Sequence, residues 1–485
     1  MPSNPYLEGN YAPVREELTV TDLPVSGHIP DHLDGRYLRI GPNPIGADPA
    51  TYHWFLGDGM VHGVRLRDGR AQWYRNRFVR SGETARRLGE AAPPGRPHAG
   101  LDLSPNTNVI GHAGQTIALI EAGPRPIALS DELETVGRCD FDGTLAGGYT
   151  AHPHVDPETG ELHALSYFWG WGNRVRYTVT GVDGRVRRSV DIPVTGSPMI
   201  HDFSLTDRYV VIYDLPVTFD VRRAGRGAPA PIRPMAIATL STIVGRLPIP
   251  ERLAAMMIRS SGQSAPYSAD SFPYSWNPRY PARVGLLPRE GTAADVRWFD
   301  VEPCYVFHPL NAFDADDGSV VLDVVRHPKV FATEFRGPAE GPPTLDRWTV
   351  DLAAGKVREE RLDDRSQEFP RIDERRTGRR HRYGYAVGFA AGDDGDQIIK
   401  HDLAGGGSQT RRFGPGWQLS EFVFVPNRPD ADEADGVLMG YAYDPACDRS
   451  QLALLDAATL ESVATVQLPA RVPQGFHGNW LPTQA

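Results

Sequence analysis

Residues 161–216 read ELHALSYFWGWGNRVRYTVTGVDGRVRRSVDIPVTGSPMIHDFSLTDRYVVIYDLP. The pattern is strand, strand, turn, strand, strand, turn, strand, strand. Arg208-Tyr-Val-Val-Ile-Tyr-Asp214 is rich in β-branched and aromatic side chains, which suit a pleated, half-buried surface. Asp183-Gly184 punctuates the pattern. An Asp-Gly pair between strand patterns signals a hairpin, because both residues of a tight turn need positive φ. The same signals recur at Asp68-Gly69, at Asp317-Gly318 and in Ser319-Val-Val-Leu-Asp-Val-Val325. Antiparallel hairpins repeated over hundreds of residues, with few helices between, point to an all-β propeller. No fixed repeat is visible, so blades cannot be counted from periodicity. A pair of β-sandwiches stays open at this point.

Composition agrees with a turn-rich chain. There are 50 glycines and 43 prolines among 485 residues, about a fifth of the chain against about 12% in average usage. The hydrophobic share of 40% still supplies a large core. A formal charge of −10 argues against nucleic acid as a partner. Cys139, Cys304 and Cys447 lie far apart and are odd in number. They exclude a disulfide scaffold and a cysteine zinc module, and fit a reducing compartment. Met1 to Asn10 holds no apolar signal core, and no apolar run approaches a membrane span. The expectation is a cytoplasmic protein.

Residues 217–275 break the β pattern. Arg222 to Pro231 reads as a loop, and Met235 to Ile258 as an apolar region. Pro250 is placed to be the first residue of a helix. Ile249, Leu253, Met256 and Met257 then share one helical face, flanked by Arg246, Arg252 and Arg259. Two readings stand: a helix packed on the core, or an interfacial helix that dips into lipid. The run Arg371 to Arg382 reads as a solvated turn.

No H-E-x-x-H, G-x-S-x-G or G-x-G-x-x-G motif occurs in a fitting context. Among fifteen histidines, four have unusual settings: Ala151-His152-Pro153, Met199-Ile-His201-Asp-Phe203, Phe307-His308-Pro-Leu-Asn311 and Gly475-Phe-His477-Gly-Asn-Trp480. Each sits among strand-forming or aromatic residues. Ligands spread so widely need a rigid closed fold that brings strand ends to one axis, which a propeller supplies.

With Asn4 to Pro13, Leu33 to Pro44 and His53 to His62, these settings resemble the carotenoid cleavage oxygenases, over nearly the whole chain and in the right order. The resemblance is to a bacterial member. It implies an all-β, seven-bladed β-propeller, residues 1–485 as one domain, with a loop and helix cap over the metal-bearing face. It implies iron, Fe(2+), held by His152, His201, His308 and His477. Imidazole suits Fe(II) among first-row metals but also suits others, so the metal rests on the resemblance. Four ligands on an octahedral ion leave two positions free.

Ligating imidazoles usually donate their second N–H to a carboxylate. The family's three such glutamates match Glu121, Glu368 and Glu421. His154 would share the strand face of His152, but the family ligand precedes Pro, as His152 does. His62 and His112 read as structural. Thr107 matches the small residue that crowds one open iron position. Stilbene-cleaving members carry a Tyr and a Lys that grip the phenol; Phe78 and Ile120 stand there instead. Phe78, Tyr305, Phe307 and Phe476 are candidate walls of an apolar substrate tunnel.

The resemblance thus implies a non-haem Fe(II) dioxygenase that cleaves a conjugated C=C bond of a carotenoid or apocarotenoid with O2, giving two carbonyl products. Its partners would be the apolar polyene and O2, with the 217–275 segment as a membrane-contacting cap in the lipid reading. The alternatives are a stilbene or phenylpropene dioxygenase, a non-enzymatic propeller binding module, and a calcium-dependent propeller lactonase.

Overall fold

The hairpin signals resolve into strands, though not always as read. A computed structural model describes residues 3–227, 231, 233–260, 267–270, 272–338, 340–389 and 395–483. Residues 161–216 hold five strands, Leu162–Tyr167, Arg174–Thr180, Val186–Pro193, Phe203–Leu205 and Tyr209–Asp214, where the sequence predicts six. The first three complete one sheet and the last two open the next, so the stretch straddles a blade boundary. Of the three Asp-Gly turns named above, Asp68-Gly69 alone has both residues at positive φ, +52° and +66°. At Gly184 and Gly318 the glycine alone does so. There the preceding Asp183 and Asp317 carboxylates accept the N–H two residues on, at 3.0 and 2.9 Å. Side-chain capping replaces the second positive φ.

Seven sheets of four to six strands form a propeller, with a two-stranded ribbon of Val217–Phe219 and Tyr274–Trp276 beside it. Most blades run outward from a largely buried inner strand to a more exposed outer one. Phe203–Leu205 is wholly buried, whereas Lys356–Asp363 is mostly half-buried or exposed. The first strands begin at Asn108, His154, Phe203, Tyr305, Gln367, Gln418 and Gly478, and surround the axis.

The ring closes through one blade built from distant parts of the chain. Gly478–Pro482 pairs with Gly35–Pro42, and Thr19–Thr21 joins the outer edge at Arg70–Phe78. Val25–Gly27 crosses to cover Ser462–Gln467 of the neighbouring blade. Pairing these edges removes ladder groups that would otherwise stay open. A Cβ on Gly41 would sit 2.7 Å from the Gly475 Cα, so the two glycines let the segment before His477 cross the strand closely.

The 217–275 segment holds helices Arg233–Ile243 and Glu251–Ser260. Helix starts one residue after Pro250, whose carbonyl accepts from Leu253 and Ala254. The proposed single apolar face divides. Ile249, Ala254 and the partly buried Met257 pack on Ala99, Phe168 and Trp169. Leu253 and Met256 point outward, 43% and 55% exposed, as do Met235 and Leu247. The cause is angular: the packed face is centred near Ala254, not on the expected stripe. Residues 228–230 of the expected loop and the Arg259 side chain lie outside the described residues. Among the described residues no helix is long and apolar enough to cross a membrane.

Candidate metal centre

Each blade contributes one residue at or near the start of its first strand. In chain order these are Thr107, His152, His201, His308, Glu368, Glu421 and His477. Local irregularities aim several of them. The ladder slips by one residue between Val306 and Pro309, around His308, and again between Glu368 and Arg371. Pro309 and Pro370 have no N–H to give, so the strand cannot keep its register there. Phe369 (φ +54°) follows Glu368, and Ala122 (φ +66°) follows Glu121. Both are strained left-handed residues beside the site.

The four histidines converge. One nitrogen from each of His152, His201, His308 and His477 lies within 4.8 Å of the others. In three of them the second nitrogen is held by a carboxylate. His201 Nδ1 is 2.9 and 3.0 Å from the two Glu121 oxygens, His308 Nδ1 is 2.6 Å from Glu368, and His477 Nδ1 is 3.1 Å from Glu421. A carboxylate accepts, so the Nδ1 of these three donates and their Nε2 presents a lone pair to the common centre.

That arrangement fits a metal. His201 and His308 face each other Nε2 to Nε2 at 3.3 Å. One proton can bridge that pair in the metal-free protein, but His152 Nε2 remains buried with no hydrogen-bond partner. An orphaned buried acceptor is costly, and a cation at the centre satisfies all four lone pairs together. All-imidazole donors suit a transition metal rather than calcium, which takes oxygen ligands.

Electrostatics keep the clustered groups in states that could hold a metal. Burial, then the neighbouring His201, His477 and His308, hold the His152 pKa well below its usual value, so its ring is neutral. Burial alone would raise the Glu421 pKa; the Arg371 charge and His477 hold it down at about 2. Glu368 is likewise held far below the carboxylate range against burial, by His308 and then His327. Both glutamates therefore stay ionised.

Three partners escaped the sequence reading. Asp202 stands where a fourth glutamate would be, 3.6 Å from His152 Nδ1 and 2.8 Å from His154 Nε2. His154 is thus a neighbour of the centre, outside the four-nitrogen cluster. His327 Nε2 bonds the second Glu368 oxygen at 2.7 Å. Arg371 opens the run read as a solvated turn, yet its side chain is only 17% exposed. It lies 3.6 Å from Glu421, 2.6 Å from Glu374, and donates to Asn479 at 2.7 Å. Adjacency was the available signal: Asp202 directly follows His201, and Arg371 follows Glu368 by three residues. His62 and His112 lie outside the cluster, bonded to the Tyr74 hydroxyl and the Gly181 carbonyl.

Above the centre lies a cavity of about 1320 Å³, lined by His201, His308, His477, Thr107 and many aromatic rings. Phe55 contacts both Phe307 and Phe476 edge-to-face, at 5.8 and 5.6 Å. Phe307 and Phe476 line this cavity. Phe78 and Tyr305 do not. Phe78 ends the fourth of five strands of its blade, too far out to reach the axis. Tyr305 sits behind Phe307, ring centroids 4.8 Å apart, and donates its hydroxyl to the Met199 carbonyl. Ile120 does line the cavity. Thr107 ties its hydroxyl to Asn106 and accepts the His477 N–H at its carbonyl.

Fold and site define a class: a seven-bladed propeller with an axial four-imidazole centre able to hold a metal under a large apolar cavity. The family of retinal pigment epithelial membrane protein matches residues 11–482. A carotenoid cleavage oxygenase of Mycobacterium tuberculosis is 55% identical, over 99% of this chain and 98% of its own. The lignostilbene dioxygenase of Pseudomonas brassicacearum superposes with a TM-score of 0.81 at 29% identity, covering 99% of each chain. A cobalt-substituted oxygenase of Synechocystis does so with a TM-score of 0.78 at 26% identity, covering 98% of each. The chain belongs to the carotenoid cleavage oxygenase family, and the enzyme expected from the sequence is borne out.

Proposed function

We propose that this protein is a non-haem Fe(II) dioxygenase that cleaves a conjugated C=C bond of a carotenoid or apocarotenoid, with O2 as co-substrate and two carbonyl products. The supporting observation is the convergence of four lone pairs directly under an aromatic cavity. At about 1320 Å³ that cavity exceeds the usual small-ligand range of about 300–1,000 Å³, as a long polyene requires.

His152, His201, His308 and His477 would be the iron ligands, with Glu121, Glu368 and Glu421 fixing three rings. Bound Fe(II) supplies the dioxygen chemistry. The chain's own residues do the rest. Phe55, Phe307 and Phe476 grip the polyene and exclude water. Thr107 narrows the space beside the ligands. The glutamates hold protons at Nδ1, so the Nε2 atoms stay free to ligate. Cleavage adds one oxygen atom to each alkene carbon, and no protein acid or base is required.

We read residues 1–485 as one domain with the 217–275 segment as its cap. The chain would be cytoplasmic and touch membranes peripherally. The second helix packs on Leu101 and Trp169, which also line the cavity, and exposes Leu253 and Met256 nearby. A polyene stored in lipid could enter there.

A stilbenoid substrate is the second reading, favoured by one observation. The Tyr274 hydroxyl is buried, lacks a partner and belongs to the cavity wall. With Phe78 off the cavity, the case against a phenol rests on Ile120 alone. Aerobic incubation of the Fe(II) protein with a carotenoid, an apocarotenoid and a hydroxystilbene, followed by mass spectrometry of carbonyl products, tests the assignment. Cleavage of the polyenes supports it; cleavage of the stilbene alone replaces it with the second reading.

A further inference from the structure

The four-histidine centre is reached from two sides. The apolar cavity meets it through His201, His308 and His477. A second cavity of about 660 Å³ meets it through His152, His308 and His477. The lining of the second follows the site residues in sequence. Asn108 comes after Thr107, Val155 after His152, Ser204 after His201, Pro309 after His308, and Asn479 after His477. The first strands therefore begin at the centre and run on through this second cavity. It is the propeller's axial channel, open on the other side of the centre.

Its lining around the centre is more polar than the mainly apolar wall of the first cavity. His154, Asp202, Arg371 and Glu374 line it, with Asn108 and Asn479. Stripping a dication of water against phenyl rings carries a heavy desolvation cost. Carboxylate, imidazole and amide groups replace that water stepwise. Asp202 stands between solvent and ligand, bonded to His154 at 2.8 Å and 3.6 Å from His152 Nδ1. His152 lines only the axial side, and its Nε2 is the unpartnered one.

We propose that the axial channel, not the substrate cavity, is the route by which a hydrated divalent metal ion enters and leaves the centre, with the Asp202–His154 pair as the last polar stop before His152. The inference rests on the four histidines binding a metal. It separates traffic: the polyene uses one face of the propeller and the metal the other, so a bound substrate does not bar metal exchange.

The test uses the full-length metal-free protein and Co2+, followed by visible absorption and by cobalt content after desalting. Val155 lines the channel and is 44% exposed, so Val155→Trp narrows the mouth without touching a ligand. Gln115→Trp, at a second exposed lining position, is the companion variant. In a parallel arm a non-ionic alkyl detergent fills the apolar cavity. Both tryptophan variants should slow Co2+ uptake by about tenfold, an added barrier of about 1.4 kcal/mol, with unchanged final cobalt content and melting temperature. Detergent should leave the rate unchanged. Uptake blocked by detergent, or uptake indifferent to both tryptophans, would overturn the route. Absence of Co2+ binding at equilibrium in the unmodified protein would instead overturn the metal centre itself.

Discussion

Arg371 lies 3.6 Å from Glu421, both largely buried, and its charge is the main reason that Glu421 stays ionised inside the propeller. A guanidinium outside the four-histidine cluster thereby sets the state of a carboxylate that bonds one of its members. Arg371→Gln removes the charge and keeps a hydrogen-bonding group for Asn479. Metal affinity, measured by chelator competition, should fall about tenfold. The loss should deepen as pH falls, because Glu421 then takes up a proton more readily. Equal affinity for both proteins near about pH 6 would show that Arg371 serves packing alone.

Glu368 is the most heavily used of the carboxylates, holding His308 at 2.6 Å and His327 at 2.7 Å. Glu368→Gln keeps the shape and removes the charge. Iron affinity or rate should drop by about 10–100-fold without unfolding. Gln variants of Glu121 and Glu421 should follow in the same direction. If all three leave iron binding and kinetics untouched, the glutamates are structural residues.

The four clustered histidines stood out because each lies beside strand-forming or aromatic residues, and blade geometry brings them to one axis. Their partners were less legible for local reasons. Arg371 hides at the head of an arginine run whose later members are mostly exposed or half-buried. Asp202 resembles an ordinary strand-start residue until His152 and His154 are brought to it. Phe78 shows the limit of motif proximity, since strand order within its blade, not sequence neighbourhood, decides reach. The cap helix shows another, because four apolar residues at helical spacing did not reveal which side would be covered.

Buried neutral histidines away from the centre make the fold acid-sensitive. Burial pushes His53 and His62 down to about 3 and His163 and His401 down to about 4. Below the ordinary value of 6.5 the unfolded chain takes up protons that the folded chain refuses. Stability therefore falls as pH drops from 6.5 toward those folded values, and the carboxylates add to the loss only at lower pH. Urea midpoints should decline steadily between about pH 7 and about pH 5, and the unfolding free energy with them, on the order of several kcal/mol in sum. A flat midpoint across that range would contradict the burial of these rings as neutral groups.

Leu253 and Met256 face outward on the helix Glu251–Ser260, whereas Ile249 is buried. The double variant Leu253→Ser, Met256→Ser should keep its melting temperature and its activity on detergent-dispersed substrate. It should lose liposome flotation and activity on substrate held in vesicles, because each lost side chain removes about 1.5–3 kcal/mol of apolar burial. Ile249→Ser should instead lower the melting temperature. A large fall in melting temperature of the double variant would mean that these side chains belong to the core.

Iron content of purified variants tests the four-histidine centre most directly. The unmodified protein should hold about one iron per chain. His477→Ala and His152→Ala should lose both the iron and the activity, and His62→Ala should retain the iron. Full iron occupancy in His477→Ala would contradict the account.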